Sequence, residues 1–560
     1  MNNQEYIKYL NSLHNYHAKN QNAYGEENVK NPFFKEIMVN TGLSTFILES
    51  IEKNPSHIII LTGHAGDGKT SVMYQTLREA GVDFQPQEKI HDYYLPSGKQ
   101  CRCIKDFSEI TDEQKKNVLK EAIDITKKGN YVFMVANTGP LINTFGELFQ
   151  NSKKSEEAKI ELINLMDHNT GKISNIMGYD LSVINVARLD NTFFAVEFLE
   201  KMLQEKLWMK CEECTKKGYC HILRNRNLIL QNKKQVNEFL NMHFIWITSY
   251  GKRLTIRSMT EQLAYMITGG RECNDVKDVR KDIFLFSNLF FGYLGTKKDL
   301  NACNILAIRE AQDWGYDQKR MRFDENLLVS KEYQQLFGKE VVSIIQETEK
   351  KNEGVDGWNE FLRRIYFFMN IETSEQNIQY AYEDIFSKKF RDFLALRNGE
   401  KKPSRNDNKL ICSALSMIYT GIINEQGIIP ITLSRNSGIT QNVQLVIGIL
   451  MEREIKIKLQ ETEDGLFFDK NKKYILKLGI GRNELKSEIT LPLLNYFEEI
   501  KDGIISTNVD PQLSHGIESL KAELADLLEK EDNFEMVILK NKSLDLVELE
   551  WTEDNKIREV

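Results

Sequence analysis

At 560 residues the chain is too long for one hydrophobic core, and roughly 150 residues per domain would give three or four units. Its 41 % apolar and 28 % charged residues exclude the disordered, collagen-like and coiled-coil classes. The net charge of −7 is uneven: from Lys501 onward there are 7 basic and 15 acidic residues, so the first 500 sum to about +1. A nucleic-acid partner is therefore compatible with the acidic total. No run approaches the roughly 18 uncharged apolar residues of a membrane span, and the polar start MNNQEYIKYL lacks a signal-peptide pattern. A cytoplasmic protein without a membrane partner is expected. Proline is scarce, with 9 residues where average usage of about 5 % would give about 28, and none lies between Pro140 and Pro403.

In chain order, residues 1–50 read as a polar helical segment. The run His57–Thr62, rich in isoleucine and bounded by Pro55 and Gly63, suits a strand buried on both faces. A helix is expected over Ser71–Ala80, ending at Gly81, then a strand over Cys101–Ile104 and a helix opened by Thr111-Asp112-Glu113. Further strands are expected at Tyr131–Ala136 and Ser182–Val186. Strands alternating with helices imply a mostly parallel α/β sheet. Phe193–Leu207, Leu254–Thr268, Val276–Phe291, Lys331–Glu349 and Gln376–Leu396 carry apolar residues at helical spacing. Gly399–Asn408 reads as a linker. Short alternating runs follow, among them Ile429–Leu433, Val443–Leu450, Glu454–Leu459, Tyr474–Leu478 and Glu488–Leu491, then a helix near Gly516–Lys530 and two more strand-like runs.

Gly63-His64-Ala65-Gly66-Asp67-Gly68-Lys69-Thr70 matches G-x-x-x-x-G-K-[ST] throughout. Glycines let successive backbone N–H groups turn toward one anion, and the following helix, opening near Ser71, adds its positive end. Lys69 is suited to the β- and γ-phosphates of ATP and the Thr70 hydroxyl to Mg²⁺. The candidate second Mg²⁺ ligand is Asp106, with Glu109 near an attacking water; Asp190 is its rival for the metal. Asn137 ends the next strand, where an AAA-type ATPase carries its phosphate-sensing residue. Candidate arginines for γ-phosphate charge are Arg257, Arg253 and Arg188. The expected fold is an α/β P-loop NTPase, AAA-like, with a long helical region and a C-terminal α+β domain. The corresponding boundaries are 1–50 for the N-terminal segment and 51–250 for the ATPase core with a Cys-rich insertion near 208–225. A helical lid and helical region follow over 251–400, and the α+β domain with its acidic end spans 409–560.

Cys211, Cys214 and Cys220 with adjacent His221 supply four groups of the kinds that hold tetrahedral zinc. Adjacent Cys220 and His221 point in different directions, so a fourth ligand from Cys101 or Cys103 is an alternative, as are unligated thiols or a redox role. Cys273, Cys303 and Cys412 read as core fillers. Glu454 and Lys456 form an E-x-K without a partnered upstream aspartate, better explained by alternating charge on a strand, and no nuclease activity is expected from this chain alone.

The strings GHAGDGKT (Gly63–Thr70), KDFSE (Lys105–Glu109), ANTGPL (Ala136–Leu141), LTIRSMTEQLAYMITGG (Leu254–Gly270) and FSNLFFG (Phe286–Gly292) together resemble the DptF family, over about residues 50–300. The resemblance implies an ATPase of a prokaryotic DNA phosphorothioation-dependent restriction system, an antiviral defence that works with partner proteins on DNA lacking the sulfur modification. It carries over Lys69 and Thr70, and with them Asp106, Glu109 and Asn137. The sequence departs from the pattern in lacking an Asp-Glu pair after a conventional Walker B strand. The expected partners are a nuclease or helicase of the same system, DNA directly or through them, and further copies of the chain. The alternative from the same residues is a nucleotide-dependent switch or scaffold with weak hydrolysis that recruits an effector through its C-terminal domain.

Overall fold

The computed structural model describes residues 3–16, 31–83, 88–95, 97–149, 151–189, 192, 194–278, 280–352, 356–370, 382–423, 427–432, 443–461, 473–504, 510–528, 534–540, 543–552 and 557–559. Asp190, Phe193, Leu433, residues 376–381 and residues 529–530, which fall in the expectations above, lie outside the described residues. The chain divides into two compact units. One comprises Met1–Thr248 and Arg253–Ile385; the other comprises Ser249–Lys252, Phe386–Thr462 and Asn471–Val560.

The first unit is built on strands β1 (Ile58–Gly63), β2 (Ile90–Tyr94), β3 (Gln100–Ile104), β4 (Tyr131–Asn137), β5 (Ile173–Ile176) and β6 (Tyr179–Asn185). They form one sheet in the order β2-β3-β4-β1-β6-β5. The central pairs β3–β4, β4–β1 and β1–β6 are parallel, and the edge strands β2 and β5 are antiparallel to their neighbours. All six residues of β1 are buried, as its continuous apolar run requires of a strand covered on both faces. Side-chain alternation sends Ile59 and Leu61 to one core and Ile58 and Ile60 to another.

Around the sheet lie α1 (Asn3–Ser12), α2 (Pro32–Ile37), α3 (Leu43–Lys53), α4 (Lys69–Glu79), α5 (Asp112–Lys127), α6 (Thr138–Gly146) and α7 (Ser152–His168). Helices α3 and α4 cover the first face through Leu43, Ile47, Ile51, Val72, Met73 and Leu77. The other face takes α5, α6 and α7 through residues such as Leu119, Phe145 and Leu162. After β6 come α8 (Phe194–Met202), α9 (His221–Gln231), α10 (Lys233–Ser249) and α11 (Ile256–Thr268), then α12 (Leu306–Trp314), α13 (Lys339–Asn352) and α14 (Trp358–Met369). Their core is aromatic: Phe239 stacks on Phe367 at 5.6 Å, and Phe290 meets Phe368 edge-on at 5.2 Å.

Two predicted helices are corrected. Val276–Phe291 is helical only over Phe286–Leu289, because the Ile283 carbonyl is taken by the Gly295 N–H at 3.0 Å rather than by a helical turn. Lys331–Glu349 is broken: Tyr333–Leu336 is one short turn, and α13 starts after Gly338, beside a bridge from Phe337 to Asn370. Antiparallel β2 and β5 had no strong sequence signal, being edge strands with mixed exposure.

The second unit holds α15 (Lys388–Arg397), α16 (Arg405–Thr420), α17 (Leu491–Lys501) and α18 (Pro511–Leu528) with two sheets. Its strands are β9 (Ile428–Thr432), β10 (Val443–Met451), β11 (Ile455–Glu461), β12 (Tyr474–Ile480), β13 (Asn483–Glu488), β14 (Phe534–Lys540), β15 (Ser543–Trp551) and β16 (Ile557–Glu559), while β7 (Tyr293–Leu294) and β8 (Lys297–Lys298) make a small hairpin in the first unit. The expected linker Gly399–Asn408 lies inside this second unit, where Ser404 and Asp407 close a capping box on α16. Glu454 precedes β11 in a 3₁₀ turn and Lys456 lies on it, both exposed. Among the described residues no helix is long and apolar enough to cross a membrane.

Candidate functional site

The carboxyl ends of β3, β4 and β1 lie side by side, and the loop after β1 curls over them. Gly63, Gly66 and Gly68 have φ of +145°, +89° and +84°, values that L side chains rarely adopt. A Cβ at Gly63 would meet the Asp67 carboxylate at 2.8 Å, and one at Gly66 would meet Thr255 Oγ1 at 3.1 Å. The glycines are thus required by backbone conformation and by close approach. Helix α4 opens at Lys69, so its free N–H groups and partial positive charge face the loop.

Inside the loop, Asp67 is 1 % exposed. Its Oδ2 accepts from the His64 N–H at 2.7 Å and pairs with the Arg253 guanidinium. Its Oδ1 is buried without a hydrogen-bond partner among the described residues. Lys69 Nζ donates to the His64 carbonyl at 2.6 Å. Burial lowers the Lys69 pKa and Arg253 and Arg257 act in the same direction, against the opposing pull of Asp67 and Asp106. A cationic group held partly desolvated beside two arginines is suited to a polyanion.

A cavity of about 350 Å³ adjoins this loop, within the range of small-molecule sites. Ala65, Gly66, Gly68, Lys69, Thr70 and Ser71 line it, together with Asp106, Glu109, Asn137 and Arg257. Asp106 is the second residue after β3 and lies 3.9 Å from the buried Lys105 ammonium. Asn137 ends β4 in register with Gly63, and its N–H donates to Ser108 Oγ at 2.7 Å. This bond joins the Asp106–Glu109 turn to the Asn137 strand end. Glu109 is the outlier: its carboxylate pairs with Lys89 at 3.2 Å, and its side chain is 63 % exposed.

Helix α11 reaches the loop through its first turn. Thr255 caps it by accepting from the Ser258 N–H at 3.2 Å, and the Arg257 N–H donates to the Gly66 carbonyl at 3.3 Å. Glu261, one turn beyond Arg257, is 5 % exposed. Burial pushes its carboxyl up to about 7, against the pull of Arg257. Arg253 is spent on Asp67 and His64. Arg188 turns to Asp167, bonding its carboxylate at 2.8 Å, and does not line the cavity.

The apolar lining of the cavity went unread in the sequence. Phe34, Ile37, Met38 and Val39 from α2 and its exit line it, with Phe198 and Ile256. Gln75 and Thr41 are also at its wall; Gln75 Nε2 donates to the Val39 carbonyl at 2.5 Å, while Gln75 Oε1 and Thr41 Oγ1 are buried without partners among the described residues. The only local signal was the apolar pair Phe33-Phe34 after the helix-starting Pro32.

The sequence grouped Cys211, Cys214, Cys220 and His221, and the structure separates the histidine from the thiols. The His221 ring stacks on Phe284 at 4.4 Å, its Nε2 lies 3.2 Å from the Thr268 carbonyl, and burial lowers its pKa to about 4. It faces the helical core. Cys101 and Cys103 are buried in the sheet on β3 and adjoin each other. Among the described residues no group of three or more His, Cys, Asp or Glu side chains stands at metal-holding spacing.

These features define an α/β protein with a mixed, mostly parallel six-stranded sheet and a cavity at the carboxyl ends of its strands. The chain matches no protein-family model, no curated protein and no solved structure.

Proposed function

We propose that the protein is an AAA-like P-loop ATPase that binds ATP with Mg²⁺ and serves as motor or switch in a prokaryotic DNA restriction system, acting with separate effector proteins. The observation that carries this reading is the cavity in which the glycine loop, Asp106, Asn137 and Arg257 meet. Its size and its lining of both cationic and apolar residues suit a nucleoside triphosphate. The glycine cradle, which a Cβ would fill, and the buried Lys69 fit a polyphosphate.

In this reading Lys69 exchanges the His64 carbonyl for phosphate oxygens, and the N–H groups at the start of α4 hold the same oxygens. Thr70 and Asp106 are the groups that would hold Mg²⁺, which when bound offsets phosphate charge. Asn137, fixed through Ser108, orients a water or a γ-phosphate oxygen. Arg257, on the rigid first turn of α11, faces the charge that develops there. Phe34, Ile37, Met38 and Ile256 supply an apolar seat for the base. The restriction pathway, the nuclease or helicase partner, contact with DNA and self-association rest on the resemblance to the DptF family.

The switch reading is favoured by one observation: Glu109, the candidate for activating water, is paired with Lys89 and exposed. A single experiment tests both. ATP turnover by the full chain is measured with and without DNA, alongside Lys69→Ala. DNA-stimulated turnover that is lost in the variant supports the ATPase reading, and nucleotide binding without turnover supports the switch. Failure of the wild-type chain to bind nucleotide would overturn both.

A further inference from the structure

Three residues that line the cavity carry a polar atom without a partner. They are Tyr9 on α1, Thr41 in the stretch between α2 and α3, and Gln75 on α4. Tyr9 Oη, Thr41 Oγ1 and Gln75 Oε1 are buried without a hydrogen bond among the described residues, and none of the three residues is more than 8 % exposed. A buried polar group left unpaired is costly, so three bordering one cavity call for a ligand with polar groups of its own.

The Gln75 amide has one allowed orientation. Its Nε2 donates to the Val39 carbonyl at 2.5 Å, an acceptor that only the nitrogen end can satisfy. Oε1 is therefore the end left over, and it can only accept. Tyr9 and Thr41 are hydroxyls, each able to donate. The unpaired set is thus one obligate acceptor and two potential donors. Thr41 lies two residues beyond Val39, so its Cα is within about 7 Å of the residue that holds Gln75. Gln75 stands six residues past Lys69 on α4, about 9 Å along the helix axis at about 1.5 Å per residue. That separation suits a nucleotide with its phosphates at Lys69 and its base beside Gln75. Ser71 and Val72, four and three residues before Gln75, share its helix face and also line the cavity.

We propose that Gln75, with Tyr9 and Thr41, selects adenine as the base of the bound nucleotide, an inference that rests on the nucleotide-binding reading above. Adenine presents its amino group, a donor, between two ring acceptors, N1 and N7. The amino group donates to Gln75 Oε1, and the ring nitrogens accept from the two hydroxyls. Guanine and hypoxanthine carry a carbonyl oxygen in place of the amino group. That oxygen would meet Gln75 Oε1 with neither able to donate, a mismatch that is costly among Phe34, Ile37, Met38 and Ile256.

The test is competition against a fluorescent ATP analogue on the full chain, using ATP, GTP, ITP and purine riboside triphosphate, which lacks the amino group. Wild type is expected to bind ATP about tenfold more tightly than purine riboside triphosphate, and to bind ITP and GTP more weakly still. In Gln75→Met, which keeps the side-chain length and drops the acceptor, that preference for the amino group should fall to about twofold or less. Thr41→Val, close in shape, should lower ATP affinity about tenfold, and unchanged affinity would remove its hydroxyl from the site. Equal wild-type affinity for ATP and ITP, or a Gln75→Met chain that keeps the full preference, overturns the adenine assignment and leaves the nucleotide reading in place. A wild-type chain that binds none of the four triphosphates overturns both. The wild-type series needs no variant to fold.

Discussion

Replacing Glu261 by glutamine is expected to stabilise the protein above neutral pH and to leave it almost unchanged in mild acid. Glu261 lies in the interior of α11 at 5 % exposure, and burial raises its carboxyl from the usual 4.5 to about 7. The native state therefore keeps a proton that the unfolded chain gives up. For an acid shifted upward, the stabilisation is complete below the unfolded value, falls as pH rises from about 4.5 to about 7, and is gone above that. Each pKa unit corresponds to about 1.4 kcal/mol, so the loss across the window is about 3 kcal/mol. Glutamine is close in shape to the neutral acid and does not titrate. Urea unfolding of both proteins, followed by tryptophan fluorescence at several pH values from about 4.5 to 8, reads the difference directly. It should open across the window to about 3 kcal/mol in favour of Glu261→Gln. A difference independent of pH, or a wild type that gains on the variant as pH rises, would refute the reasoning.

Two further outcomes are expected. Gly66→Ala forces an L side chain into φ +89° with its Cβ 3.1 Å from Thr255 Oγ1; at about 1–2 kcal/mol of backbone strain, nucleotide affinity in a fluorescent-nucleotide titration should fall about tenfold, and unchanged affinity would remove the loop from the site. Arg364→Met is expected to cost about 3–5 kcal/mol in denaturant unfolding, because Arg364 is fully buried, bonds Asn288 at 2.6 Å, pairs with Asp317 and stacks on Tyr293 at 3.9 Å; removing it leaves the Asp317 carboxylate buried without its cation.

Much of the first unit was legible because its signals are local. A short Ile-rich run bounded by Pro55 and Gly63 suits a doubly covered strand, and Gly63, Gly66 and Gly68 mark a backbone that side chains rarely adopt. The strand expected at Cys101–Ile104 and that at Tyr131–Ala136 stand next to each other in the sheet, which brings Asp106 and Asn137 to one cavity. Helical spacing misled where an outside partner claimed the backbone, as Gly295 does at Ile283, and where Gly338 broke the period. Arg253 and Arg257 looked equivalent at the start of one helix. The structure assigns the first to Asp67 and the second to the cavity wall.

By itself the sequence determined the glycine-rich loop between strand and helix, the α/β alternation and the helical, proline-free middle, since each depends on residues within a few positions of one another. Only the tertiary structure decided what faces the loop. The apolar wall comes from Phe34, Ile37, Met38 and Val39, and Arg257 arrives from α11. It also turned His221 away from its neighbour Cys220, because an imidazole that can stack on Phe284 in the core is held there by burial. Such pairings depend on which distant surfaces exclude water together, and periodicity along the chain carries no record of that.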